Sequence, residues 1–324
     1  MAEIIPYASL LIGLVLLSGG ADYLIQGAVA IAARLNISPL VVGLTIVALG
    51  TSLPELVVCV RAASAGAAGI AVGNIVGSNI ANILLILGAG ALMCPISANR
   101  NHFLRDGSIM VGATVLFIAI ALTGSFASLS GTIMILLLLA FLVFSYVQGK
   151  KHGMDDLSMI DMDEAAPETT VPMKRATFWV VGGLLGVAIG AELLVSGATT
   201  IARSLGVGEE VIGLTMVAIG TSLPELATVA AAAAKRHTDL IVGNVMGSNI
   251  FNILGVMGVT ATVADVPVGE QILTFDIWVM AAAAILLVRL MLTGNVLNRR
   301  EGTVCLTLYA TYIAIQYIGV ERII

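Results

Sequence analysis

Charge is scarce in this chain: 11% of its 324 residues are Asp, Glu, Lys or Arg, 59% are hydrophobic, and the mean hydropathy is +1.05. Soluble domains carry about a quarter charged residues, so this poverty excludes an ordinary water-solvated surface and points to lipid. Cysteine is nearly missing too. Cys59, Cys94 and Cys305 share no CxxC spacing, which excludes a zinc ribbon or disulfide scaffold and leaves small packing residues in a membrane bundle. His102, His152 and His237 lack metal-site spacing and fall in loops, and no lysine lies inside an apolar run. An intramembrane serine hydrolase needs such a base, so no enzyme activity and no cofactor are expected. The weak net charge of −5 gives no reason to expect a nucleic-acid partner.

Long hydrophobic runs are what the chain does have. Stretches of about 20 apolar residues, each long enough for roughly 30 Å of hydrocarbon, recur from end to end. Hydropathy predicts ten spans, near 4–33, 38–62, 69–93, 106–123, 128–148, 177–202, 209–233, 239–263, 272–292 and 303–320. MAEIIPYASLLIGLVLL has no basic n-region and no A-x-A site after its apolar run, so it is expected to be the first membrane helix and not a cleaved signal. The segment 149–175 is polar and acidic, contains Pro167 and Pro172, and lacks helical periodicity. Its Asp155, Asp156, Asp161, Asp163 and Glu164 show no EF-hand glycine and glutamate pattern, so a solvated linker is predicted.

The linker separates two copies. GLTIVALGTSLPE (Gly43 to Glu55) and GLTMVAIGTSLPE (Gly213 to Glu225) differ at two of thirteen positions, and VGNIVGSNIANIL (Val72 to Leu84) matches VGNVMGSNIFNIL (Val242 to Leu254). Adding 170 carries the first member of each pair onto the second without a gap. The chain therefore divides into a first repeat (1–148), a linker (149–175) and a second repeat (176–324). The loops after spans one, three, five, seven and nine, with Arg289 nearby, hold twelve of the fifteen Lys and Arg residues, which places both termini outside and the linker in the cytoplasm of an inner-membrane protein. Five spans per copy is an odd number, so the second copy enters the membrane upside down. The expected fold is all-α and polytopic, with ten transmembrane helices in two inverted five-helix repeats, and it suggests a transporter with a midplane site.

Each GTSLPE block breaks its own helix. Pro54 has no N–H, so the carbonyl of Gly50 loses its intrahelical donor, and the backbone is expected to kink and free carbonyls from Ala48 to Thr51. Pro224 does the same to Gly220. Glu55 and Glu225 sit near the middle of their spans, where a charge costs at least ~2.5–3.5 kcal/mol and marks an ion or proton pathway. Asn74, Ser78 and Asn82 follow at i, i+4 and i+8, one stripe of a helix, and Asn244, Ser248 and Asn252 repeat it. Asn79 and Asn249 fall on a different face and rank lower. Gly73 with Gly77, and Gly243 with Gly247, have the GxxxG spacing of close helix contact. Asp22 and Glu192 form a further matched acidic pair, suited to an ion pathway or a helix contact.

The collected donors are carboxylates, carbonyls, hydroxyls and amides, with no thiolate or imidazole. An all-oxygen set suits hard cations, calcium better than magnesium, and two carboxylates balance one Ca²⁺. Sodium or protons are the alternative occupants. The residues alone leave open sodium-coupled, proton-coupled or potassium-dependent calcium antiport, and a passive cation channel.

The doubled GTSLPE with the doubled GNxxGSNIxNIL resembles the alpha repeats of the calcium/cation antiporter superfamily, in its bacterial sodium/calcium exchanger-like branch, over essentially the whole chain. That resemblance implies a calcium site from the carboxylates of Glu55 and Glu225 and the carbonyls of Thr51 and Thr221. It implies flanking sodium sites from Ser52, Ser78, Ser222 and Ser248 with the carbonyls of Ala48 and Ala218. Asn82 would lie centrally, opposite Asn252, and spans one and six would slide together against the other eight. Some members have aspartate where this chain has Asn252, so this site holds two carboxylates and not three.

Overall fold

The computed structural model describes residues 5–157, 171–205, 220–294, 296–318 and 320. In chain order the helices are α1 (Ile5–Leu35), α2 (Pro39–Thr51), α3 (Leu53–Ser64), α4 (68–93), α5 (Arg100–Ala121), α6 (Ser128–Leu157), α7 (Met173–Ser204), α8 (Leu223–Ala234), α9 (Thr238–Val263), α10 (272–294) and α11 (Arg299–Ile318). Four two-residue strands, β1 (Ile96–Ser97), β2 (Ser125–Phe126), β3 (Val266–Pro267) and β4 (Val296–Leu297), tie loops together, β1 to β4 and β2 to β3, both antiparallel.

Among the described residues seven helices are long and apolar enough to cross a membrane, or eight with α2 and α3 taken as one bent span. The predicted span seven begins outside the described residues and ends as the twelve-residue α8. Span ten coincides with α11, which is long but less apolar. The helix of span five runs on to Leu157, inside the predicted linker. A helix satisfies its own backbone groups, so it can leave the bilayer without a change that hydropathy registers. Asp161, Asp163 and Glu164 lie outside the described residues.

The longest contact joins the first helix of each half. At 1.5 Å per residue α1 is about 46 Å long, more than the roughly 30 Å of a bilayer core, so it tilts or runs past the core. Gly13, Gly20 and Gly27 recur every seven residues: Gly13 faces Gly190, Gly20 faces Gly183, and Gly27 lies against Ala176 and Val180, while its copy Gly197 in α7 lies against Pro6 and Leu10. A Cβ at Gly20 would lie 2.7 Å from the amide of Val187 and 2.9 Å from the carbonyl of Gly183, while one at Gly13 would lie 2.7 Å from the amide of Leu194. The contact positions fall along one helix as they rise along the other, so α1 and α7 are antiparallel, backbone on backbone. Small residues permit that approach where hydrocarbon gives no hydrophobic drive.

The interior belongs to α9 and α4. The most apolar window of α9 is 100% buried and that of α4 72%, against 28–44% for α1, α5, α6, α7 and α10. Large apolar side chains such as Leu129, Phe178 and Val15 point outward, as a lipid-facing surface requires. The paired glycines of the central helices differ. Gly243 and Gly247 press against Leu40 and Leu44 of α2, whereas Gly73 and Gly77 meet nothing within 4 Å among the described residues, which do not include Glu210 and Leu214, the copies of Leu40 and Leu44. The predicted close contact is present in the second copy. In the first, the bare glycines lower the wall of a cavity of about 540 Å³ that reaches Asn74 and Ser78.

Candidate cation site

Proline sets the site's backbone. Both Leu-Pro-Glu triplets begin a new helix inside the bundle: Ser52 (φ −85°, ψ 4°) and Ser222 (φ −93°, ψ 3°) leave helical geometry, and Pro54 and Pro224 occupy the first turns of α3 and α8. The axes of α2 and α3 meet at 43°. Glu55 and Glu225 therefore lie in first turns, where the helix dipole favours negative charge. The expected freeing of carbonyls is narrower than predicted. Ala48 still accepts from the Ser52 amide (3.0 Å), because the break begins only after Thr51. Ala218 lies outside the described residues.

A second irregularity sets the stripes. Helix α4 carries a π segment over Asn82–Leu87 and α9 one over Phe251–Met257, so Asn82 and Asn252 both stand where the helical register slips. Such bulges re-aim side chains and are frequent at functional sites.

The two repeats meet through these residues. Ser52 Oγ donates to Glu225 Oε1 (3.4 Å), Thr51 Oγ1 to Asn244 Oδ1 (3.4 Å), and Thr221 Oγ1 to Asn74 Oδ1 (3.5 Å), each bond joining one copy to the other. Glu55, Glu225, Thr51, Ser52, Ser222, Ser78, Ser248, Asn82, Asn244 and Asn252 are all buried, and the Glu55 and Glu225 carboxylates interact electrostatically. Asn74 is half-buried and also donates to Cys59 Sγ (3.3 Å).

Burial without partners singles out the two glutamates. Four carboxylates are buried among the described residues. Asp106 is held by Arg105 at 2.7 and 2.8 Å. Asp276 accepts from Gln271 Nε2 (3.2 Å), Tyr312 Oη (3.1 Å) and Gln316 Nε2. Both Glu55 oxygens and Glu225 Oε2, by contrast, have no hydrogen-bond partner among the described residues. Asn82 Oδ1, Asn252 Oδ1 and Nδ2, Asn244 Nδ2, Ser222 Oγ, Ser248 Oγ and Asn79 Oδ1 share that condition, and Ser145 Oγ alone lies outside the repeated blocks. An orphaned buried polar group costs about 1–3 kcal/mol, more when charged. The oxygens of this set are what a positively charged guest would satisfy, whereas the two amide nitrogens, Asn252 Nδ2 and Asn244 Nδ2, are donors that need an acceptor.

Two sequence readings change. Asp22 is exposed and its Oδ1 pairs with Lys235 Nζ at 2.8 Å, and Glu192 is exposed on α7. Neither belongs to the buried cluster, and the Asp22–Lys235 pair is the helix contact that the sequence allowed. Asn249, ranked low for its helical face, reaches the centre: Asn82 Nδ2 donates to its Oδ1 at 3.0 Å. Only the partner helix could reveal this, since a stripe argument considers one helix at a time.

A helical membrane bundle around buried oxygens without partners is built as a cation transporter. The sequence profile of the family described as "Sodium/calcium exchanger protein" matches residues 5–147 and 175–318. The chain is 41% identical to the "Putative antiporter CaxA" of Alkalimonas amylolytica, covering 95% of this chain and 96% of that one. It is 32% identical to the "Sodium/calcium exchanger MaX1" of Methanosarcina acetivorans, covering 97% and 99%. Among solved structures, the sodium-calcium exchanger NCX_Mj soaked with Na⁺ and Sr²⁺ superposes with a TM-score of 0.83 at 32% identity, covering 96% of this chain and 98% of that one. This chain belongs to the sodium/calcium exchanger family.

Proposed function

We propose that this chain exchanges calcium for sodium across the membrane, through ten spans arranged as two inverted five-helix repeats that expose one midplane site to either side in turn. The observation that carries this reading is the set of buried, unpartnered oxygens on Glu55 and Glu225. The antiparallel packing of α1 on its copy α7 supports the inversion. Ca²⁺ lies between the Glu55 and Glu225 carboxylates, with the carbonyls of Thr51 and Thr221 completing its shell. Sodium uses Ser52, Ser222, Ser78 and Ser248, with the carbonyls of Ala48 and Ala218, and Asn82 faces Asn252 at the centre. An empty, doubly negative site is too costly to carry through the bilayer, so the protein reorients only when loaded. The termini lie outside and the linker in the cytoplasm.

The deciding experiment is flux into proteoliposomes, with sodium, potassium and pH varied one at a time. Calcium uptake is expected to follow an outward sodium gradient. Uptake that ignores sodium and follows a pH gradient makes protons the coupling ion, and a potassium requirement makes the exchange potassium-dependent. Leak without any counter-gradient makes the protein a channel. A related expectation concerns Asn252→Asp, which adds a third carboxylate: the sodium dependence of exchange should change several-fold and the calcium dependence less. Equal shifts in both would count against separate sodium and calcium ligands.

A further inference from the structure

The copies of one interaction are in different states. Asn82 Nδ2 donates to Asn249 Oδ1 across the repeats at 3.0 Å. Adding 170 maps Asn82 onto Asn252 and Asn79 onto Asn249, so the mirror bond runs from Asn252 Nδ2 to Asn79 Oδ1. It is not made, and both of its atoms are buried without partners. Asn79 instead donates its own Nδ2 to the Ile75 carbonyl at 2.7 Å.

The bond that is made has a direction fixed from outside. Asn249 Nδ2 lies 3.7 Å from Met110 Sδ. A thioether only accepts, so Asn249 must turn its amide nitrogen to the sulfur and its oxygen to Asn82. Asn82 must then present its nitrogen to Asn249, and its own Oδ1 faces away, buried and unpartnered. Met110 thus orients Asn249, and Asn249 orients Asn82. Met280, also buried, holds the matching position in the second copy.

We propose that Asn249 and Asn79 are positioning residues for the transported cation, each able to lock the carboxamide of the opposite repeat so that an oxygen, never an N–H, faces the ion. In this conformation the Asn249 lock on Asn82 is closed and the Asn79 lock on Asn252 is open. The inference rests on the proposed cation site and assigns no cation contact to Asn249 or Asn79 themselves.

A double-mutant cycle tests it by ion-dependent thermal stabilisation of the purified protein in detergent, with CaCl₂ and NaCl titrated separately; stabilisation grows with ligand concentration over dissociation constant. Asn249→Ala is expected to weaken apparent calcium or sodium affinity about tenfold, and Asn82→Ala about as much. The double variant should be no weaker than Asn82→Ala, since a residue acting through another adds nothing once that other is gone. Losses that multiply to about a hundredfold, or an Asn249→Ala protein with unchanged affinity, overturn the proposal. If Asn249→Ala does not fold, Met110→Leu replaces it in the cycle. It conserves volume and removes the sulfur acceptor, with an expected threefold weakening that vanishes in the Asn82→Ala background and persists there if the proposal is wrong. Wild-type protein that neither cation stabilises removes the cation site and the positioning role together, whereas multiplicative losses with a responsive wild type remove only the latter.

Discussion

Glu55→Gln and Glu225→Gln should each lower cation exchange by more than about a hundredfold while leaving the protein folded. Glutamine keeps the shape of the side chain and an oxygen that can still accept the Ser52 hydroxyl, so nothing structural in the described contacts is lost at Glu225. What disappears is one negative charge. Two unit charges 4 Å apart attract by about 4 kcal/mol at an effective dielectric near 20, and a hundredfold change needs only about 2.8 kcal/mol. Stability in cation-free detergent should hold or rise, because an unpartnered buried carboxylate has been replaced by a neutral group. Flux into proteoliposomes and thermal melting of the same preparations measure the two halves of this expectation. Exchange near wild-type rates in both variants would place the cation elsewhere.

The second large effect is structural. Gly190→Leu should cripple folding, because even its Cβ would sit 2.5 Å from the Leu17 amide and 2.8 Å from the Gly13 carbonyl. Backbone cannot yield as a side chain can, so the seam between α1 and α7 must open, at a cost of about 3 kcal/mol or more. Melting should fall by about 5–10 °C, with much of the protein lost to aggregation. Gly19→Leu is the control, for a Cβ there meets nothing within 4 Å and melting should not move. Equal damage from both substitutions would mean that the helix simply tolerates no bulk, and that the seam has no special place in the fold.

Much of this was legible in one sequence, for reasons that can be named. Proline and glutamate inside hydrocarbon are costly wherever they stand, so GTSLPE announced a helix break and a buried charge, and the structure has a break at Ser52 and a buried Glu55. The duplication was legible because the offset of 170 has no gaps. Contacts between copies were not. Periodicity assigns a residue to a face but does not say what faces it, which is why Asn249 ranks too low in the sequence and why Asp22 stays open there between an ion pathway and a helix contact. The glycine pairs teach the same lesson: Gly73 and Gly243 both stand between a valine and an asparagine, yet one lines a cavity and the other meets the backbone of α2. Helix ends such as Leu157 escaped because hydropathy records the solvent and not the hydrogen bonding.

The α1–α7 seam has a consequence of its own. Gly13 touches Gly190 and Gly20 touches Gly183, and moving each partner to its copy turns the first contact into the second. The surface is therefore its own complement, like the face of a two-fold dimer, with each groove acting as both lock and key. A bulky side chain at either member of such a pair meets the same opposing backbone, so the two copies cannot drift apart at these positions independently.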